Sequence, residues 1–165
     1  MKKYVKSADD VFYQDPKGRA DIAVATDNID VLYMLMFDPD KRVRGAVALN
    51  QYAPQDILVE LAKDPSKYVR ECVACRIDDP AIIYELSKDP DAFVRQQLAQ
   101  NPNVPSYVLS GLAKDWDVGV RMFVASNMNT PKGILETLAE SEDYDVSGAA
   151  KNTLLLLKGP DRFRF

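Results

Sequence analysis

Four arginines recur at nearly constant spacing, and their side chains are the best suited in this chain to bind an anion. A valine precedes each arginine, and an aspartate stands six residues before it. The pairs are Asp38 and Arg44, Asp64 and Arg70, Asp89 and Arg95, and Asp115 and Arg121. A guanidinium group binds phosphate or carboxylate oxygens through two parallel hydrogen bonds. The arginines could therefore form a row that binds a nucleic-acid backbone or an acidic peptide.

A structural interpretation of the same arginines is favoured by their register with the aspartates. Each guanidinium would then bond an aspartate or a helix carbonyl of its own or the next unit. The acidic pI of 4.9 agrees with this interpretation. In the structural interpretation the aspartates and arginines hold neighbouring units together, and recognition lies elsewhere.

Cys72 and Cys75 form a C-x-x-C motif, a spacing that zinc sites and redox proteins use. The chain has no histidine, so two thiolates supply half of a zinc site. A redox motif of this kind expects a βαβ setting, which the pattern does not offer. The absence of histidine also removes the commonest general base. We therefore interpret both cysteines as structural and predict no metal, no cofactor and no enzymatic activity.

The arginine spacing of 26, 25 and 26 residues predicts a stacked repeat array. Residues 31–133 contain four clear repeats, and 134–158 form a degenerate capping repeat in which Ser147 replaces the arginine. Residues 1–30 are predicted to form an N-terminal cap with a degenerate repeat, in which Asp21 takes the arginine position. Residues 159–165 are predicted to be a flexible tail of a single domain spanning 1–165.

Two prolines per unit indicate that each unit is a pair of short helices. Proline suits the first turn of a helix and disfavours helical geometry in the residue before it. Each aspartate before proline is therefore predicted to cap a helix. We expect a leucine-bearing helix of about ten residues, followed by a shorter Val-Arg helix, with Leu154–Leu157 closing the core. Helices this short need their neighbours for stability, so the fold is predicted to be an all-α solenoid of about five to six repeats without a sheet.

The repeated pattern Leu-x-x-Leu-Ala-x-Asp-Pro-x-x-x-Val-Arg-x-x-Val-Ala-x-Asn closely resembles the leucine-rich repeat variant family, over about residues 31–139. The resemblance implies a right-handed superhelix in which short α-helices alternate with 3₁₀ helices. Some members of that family carry an iron–sulfur cluster on an N-terminal group of cysteines. No cysteine precedes Cys72 here, so no cluster is expected.

Composition restricts the binding partners and the cellular location that can be expected for the chain. Its net charge of −4 gives it no overall attraction to nucleic acid or to an anionic membrane. No apolar run is long enough for a membrane helix, and the first residues do not resemble a signal peptide. A cytoplasmic location is predicted.

Variable residues inside the repeating columns are the candidates for recognition. Solenoids present such side chains on extended surfaces, and aromatic residues are common anchors of interfaces. The candidates are Tyr33, Tyr84, Gln97, Met122 and Phe123. They predict a protein or peptide partner, with nucleic-acid binding through the arginines as the alternative. The C-terminal end, with Tyr144, is a candidate for self-association.

Overall fold

The computed structural model describes residue 11 and residues 14–158, and in this part of the chain it contains eleven α-helices and no strand. The helices are α1 Pro16–Ala25, α2 Ile29–Leu35, α3 Lys41–Leu49, α4 Gln55–Leu61, α5 Lys67–Ala74, α6 Pro80–Leu86, α7 Ala92–Gln100, α8 Ser106–Leu112, α9 Val118–Ser126, α10 Lys132–Ala139 and α11 Tyr144–Leu157. The predicted all-α fold of short helical pairs is confirmed. Both helices of each described pair are α-helical.

The predicted helix lengths are wrong, because the Val-Arg helices are the longer members of the pairs. The leucine-bearing helices α2, α4, α6 and α8 have 7 residues, whereas α3, α7 and α9 have 9. Each leucine-bearing helix ends well before the aspartate that was expected to cap the next helix. The corner between the two helices is therefore longer than the sequence predicts, and the first helix is shorter.

Asp38 and Asp89 precede proline without capping a helix, which corrects that prediction, whereas Asp15 before Pro16 does cap α1. Helix α3 is capped by Asp40, whose carboxylate accepts a hydrogen bond from the Arg42 N–H at 2.8 Å. Asp38 lies two residues earlier, where its Oδ1 accepts the Asp40 N–H at 2.9 Å in a turn. Asp64, Asp89 and Asp115 make the same turn to the residue two positions on. Such a turn competes with helix formation and sets the corner.

The described helices pack into two compact units, which divide between Ile82 and Ile83. In the first unit, α1 packs on α3 and α3 packs on α5. In the second unit, α7 packs on α9 and α9 on α11. The valine before each arginine is fully buried in this layer, as Val43, Val69, Val94 and Val120 show. Serial packing of this kind is typical of a helical repeat solenoid.

Helix α11 does not close the core with its leucines, contrary to the sequence-based prediction. Leu154 is half-buried and Leu155, Leu156 and Leu157 are exposed, whereas Val146, Ala150 and Thr153 are buried. The helical period explains this, because residues four and seven positions apart share one face. The predicted tail at 159–165, residues 1–10 and residues 12 and 13 lie outside the described part of the chain. No described helix is both long enough and apolar enough to span a membrane.

Candidate functional site

Arg44 and Arg95 reach forward from their Val-Arg helices to the aspartate of the next corner. Arg44 donates from Nε to Asp64 Oδ2 at 2.6 Å and from Nη2 to Oδ1 at 3.0 Å. Arg95 makes the same pair of bonds to Asp115 at 2.7 and 2.9 Å. We call these contacts, together with that of Arg19 described below, the arginine–aspartate ladder. Each is a bidentate pair, the strongest geometry for a guanidinium and a carboxylate.

The third guanidinium nitrogen, Nη1, bonds the backbone of the corner that precedes the arginine's own helix. Nη1 donates to the carbonyl of the aspartate six residues earlier at 2.7–2.9 Å, in Arg44, Arg70, Arg95 and Arg121. The four predicted arginines therefore share one orientation. Each contacts the corner that begins its own helix.

The ladder pairs are largely buried, so solvent and salt screen the attraction between their charges only weakly. Arg95 is 4% exposed, and hydrogen bonding to Asp115 raises its pKa. For Asp64, burial opposes ionisation, but hydrogen bonds from Arg44 and the Ser66 N–H outweigh it and lower the pKa. Because the folded state favours the ionised carboxylate, this pair stabilises the fold at neutral pH. That contribution is lost as the pH falls through the lowered pKa of the folded state.

A fifth arginine, Arg19, belongs to the ladder and was missed from the sequence. Its Nε and Nη2 donate to Asp38 at 2.6 and 3.0 Å. Asp15 caps α1 and Pro16 is its first residue, so Asp15 corresponds to Asp40 rather than to Asp38. The arginine position of the first repeat is therefore Arg19 and not Asp21. The signal was present, because Arg19 precedes Arg44 by 25 residues.

A second row of polar side chains satisfies the carboxyl ends of the Val-Arg helices. Asn50 donates from Nδ2 to the carbonyls of Ala23 at 2.6 Å and Thr26 at 2.8 Å. Asn127 repeats this contact with Ala99 at 2.7 Å. The last carbonyls of a helix lack partners within the helix, so the amides supply them. We call these contacts the amide row.

Arg76 takes the amide position in its own repeat. Its Nη1 donates to the carbonyls of Ala48, at 2.8 Å, and Asn50. Burial lowers its pKa. The guanidinium thus performs the same task as the asparagines, with carbonyl oxygens as its acceptors.

The two cysteines have the character of packed helix residues. Cys72 is buried, and burial raises its pKa to about 11. Burial also raises the pKa of Cys75. In the described residues, no group of three or more histidine, cysteine or acidic side chains is placed to hold a metal ion.

The pKa of Cys72 predicts slow alkylation of the native protein. The thiolate is the reactive form, and raising the pKa from 9.0 to about 11 reduces it about 100-fold at neutral pH. Iodoacetamide at pH 7.5 should therefore modify Cys72 about 100-fold more slowly in the folded chain than in urea, as followed by peptide mass spectrometry. Equal rates in the two states would contradict a buried thiol.

The predicted recognition residues fall into different environments. Tyr33 is exposed in the first unit, and its hydroxyl donates to Asp56 at 2.5 Å, a bond that raises the tyrosine pKa. Gln97, Met122 and Phe123 are half-buried on α7 and α9. Tyr84 lies in the second unit beside a surface groove. Of the five, Tyr84 is the one that lines this groove.

The groove next to Tyr84 lies between α6 and α8 and has a volume of about 270 Å³. Tyr84 and Tyr107 are 47% and 58% exposed. The Lys88 ammonium lies 3.7 Å from the centroid of the Tyr84 ring, a cation–π contact. Gly111 lines the groove, and a Cβ added there would meet no atom within 4 Å. We call this feature the tyrosine groove, lined by Tyr84, Ser87, Lys88, Tyr107, Val108, Gly111, Leu112 and Asp115.

The helix pairs, the ladder and the amide row define a helical repeat protein. A solved structure described as a leucine-rich repeat variant with a novel repetitive protein structural motif is similar to it, with a TM-score of 0.69 and 24% identity. That similarity covers 87% of this chain and 58% of the other, and it confirms the predicted resemblance at the level of the fold. The crystal structure of an engineered protein matches with a TM-score of 0.54 and 16% identity, over 90% of this chain and 93% of the other. No protein-family model and no curated protein sequence matches the chain.

Proposed function

We propose that this chain is a non-enzymatic repeat scaffold that binds a segment of another protein in the tyrosine groove. The observation that carries the proposal is the pair of exposed tyrosines, Tyr84 and Tyr107, on neighbouring leucine-bearing helices. Tyrosine offers a large contact area with few rotatable bonds, which is why interfaces and paratopes use it. The two rings would contact one chain segment from both sides.

The size of the groove favours part of a longer chain over a whole small molecule. Its volume of about 270 Å³ lies below the range of about 300–1,000 Å³ that is usual for drug-sized ligands. Lys88 forms no ion pair with any described residue. Its ammonium is therefore available to a carboxylate or carbonyl of the bound segment.

The alternative of nucleic-acid binding through the arginines has less support. A phosphate would need the guanidinium edges that Arg19, Arg44 and Arg95 already use for carboxylates. Those pairs are largely buried, and the chain is acidic overall. These features favour a protein partner.

Substitution of Gly111 tests the groove without removing any contact of the fold. Gly111→Leu should fill the groove while favouring the helix, because glycine is about 1 kcal/mol worse than alanine in a helix interior. A random peptide library is selected on the wild-type chain, and the dissociation constant of the enriched peptide is measured by calorimetry. We expect Gly111→Leu to weaken binding at least tenfold, about 1.4 kcal/mol.

The matched control is Gly148→Leu on α11, where an added Cβ also meets no atom within 4 Å. This variant should bind the peptide like wild type. If no peptide is enriched, or if Gly111→Leu binds as tightly as wild type, the groove is not a binding site.

A further inference from the structure

Arg121 has the same anchoring as the paired arginines of the ladder, but no carboxylate of the described residues pairs with it. Its Nη1 donates to the Asp115 carbonyl at 2.7 Å and to the Trp116 carbonyl at 3.1 Å. Arg44 makes the equivalent two bonds at 2.7 and 3.1 Å. Because the guanidinium is planar and rigid, the Nε–Nη2 edge of Arg121 must face the corner after α10.

That corner has the backbone of the earlier corners, with Ser141 in place of an aspartate. The Ser141 N–H donates to the Leu138 carbonyl at 3.1 Å, and its Oγ accepts the Asp143 N–H at 3.2 Å. Asp115 makes the same two contacts one repeat earlier, at 3.0 and 2.9 Å. The turn is thus preserved, but Ser141 has no carboxylate whose two oxygen atoms could accept hydrogen bonds from Arg121.

Within residues 14–158, neither Nε nor Nη2 of Arg121 has an acceptor. Glu140 and Glu142 flank Ser141, and neither forms an ion pair with the arginine. Ser147, at the next arginine position, directs its hydroxyl to the Ala139 carbonyl at 2.7 Å. The ladder therefore ends at an oriented guanidinium edge.

We propose that the Nε–Nη2 edge of Arg121 is a binding site for a carboxylate group supplied from outside the chain. The ligand chemistry follows from Arg19, Arg44 and Arg95, each of which holds a carboxylate on this edge at 2.6–3.0 Å. The charges of Glu140 and Glu142 oppose anions in general. Selection therefore depends on the planar two-oxygen geometry, which chloride lacks. This site is separate from the tyrosine groove and does not depend on it.

Arginine Nε–H signals in ¹H–¹⁵N spectra of the full chain provide the test. Sodium acetate replaces sodium chloride at constant ionic strength, and Arg121→Lys assigns the signal. We expect the Arg121 signal to shift saturably with acetate while the Arg95 signal stays in place. An unchanged Arg121 signal, or an equal response to inorganic phosphate, would overturn the assignment of a carboxylate site.

Two substitutions at Ser141 sharpen this test. Ser141→Asp supplies the carboxylate from within the chain, so it should raise the melting temperature and weaken the acetate response at least tenfold. Ser141→Ala leaves the edge open and should keep the response. A response that persists in Ser141→Asp would contradict the proposal. Titration with the N-acetyl amide of aspartic acid distinguishes the two possible sources of the carboxylate. If this compound binds more tightly than acetate, the ligand is a carboxylate of a protein side chain. If the two bind equally, the ligand is a free carboxylate.

Discussion

Arg95→Ala is expected to lower the free energy of unfolding by about 3–5 kcal/mol, because it leaves Asp115 buried and charged without its partner. Arg95 is 4% exposed and joins α7 to the corner before α9 through two bonds to Asp115. The substitution also removes the bond to the Asp89 carbonyl and the Trp116 ring contact, 5.2 Å from the guanidinium carbon to the ring centroid. The melting temperature should fall by roughly 6–20 °C for a chain of this size. Calorimetry or circular dichroism measures it.

Arg121→Ala is the matched control for this prediction. Arg121 keeps the carbonyl bonds of the ladder but bonds no described carboxylate. Its loss should therefore cost about 1 kcal/mol, the usual contribution of a hydrogen bond. Equal losses for the two variants would show that the carboxylate pairing adds little. If Arg95→Ala melts like wild type and loses a ligand instead, the structural interpretation of the arginines is wrong.

The repeat architecture could be predicted because one spacing governs several residues at once. Valine, arginine and aspartate recur together, and each of them contributes to burial or to the contact between helix pairs. A solenoid repeats one set of contacts along the chain, so a periodic sequence reports a periodic structure.

The boundaries were harder to predict because two aspartates stand close together at several corners. Asp38 and Asp40 both suit a helix cap, and proline after the first made it the better candidate by sequence alone. Only the ion pair with Arg19 shows that Asp38 belongs to the ladder. Asp15 also precedes a proline, so in the sequence it looks like a ladder aspartate. Six residues after it stands Asp21, and the arginine position was therefore predicted there rather than at Arg19.

The tyrosine groove could be predicted only in part. Tyr84 lies in a variable column, which indicated recognition. Tyr107 lies in a column that holds Asp30 and Asp56 in earlier repeats, so nothing in its own position indicated a binding surface. The groove arises from the juxtaposition of α6 and α8 and from the missing side chain at Gly111, and these depend on the fold.

Asn50→Asp is expected to destabilise the fold by about 3 kcal/mol or more at pH 7, although the two side chains have nearly the same shape. Asn50 is 1% exposed, and its amide nitrogen donates to the carbonyls of Ala23, Val24 and Thr26. The substitution removes these donors and places a negative charge against carbonyl oxygens in a buried site. Only the bond from the Tyr52 N–H to Oδ1 can remain.

The pH dependence of the stability of Asn50→Asp distinguishes the loss of hydrogen-bond donors from a change in packing. Carbonyl acceptors favour the protonated carboxyl group, so the pKa of the introduced aspartate should be raised in the folded state. The variant should then regain stability relative to wild type as the pH falls toward 4, since the protonated group donates again. Asn152→Asp, at an exposed position of α11, is the control and should change stability little at either pH. If Asn50→Asp is less stable than wild type by the same amount at pH 7 and at pH 4, the amide row stabilises the fold by its shape and not by hydrogen bonding.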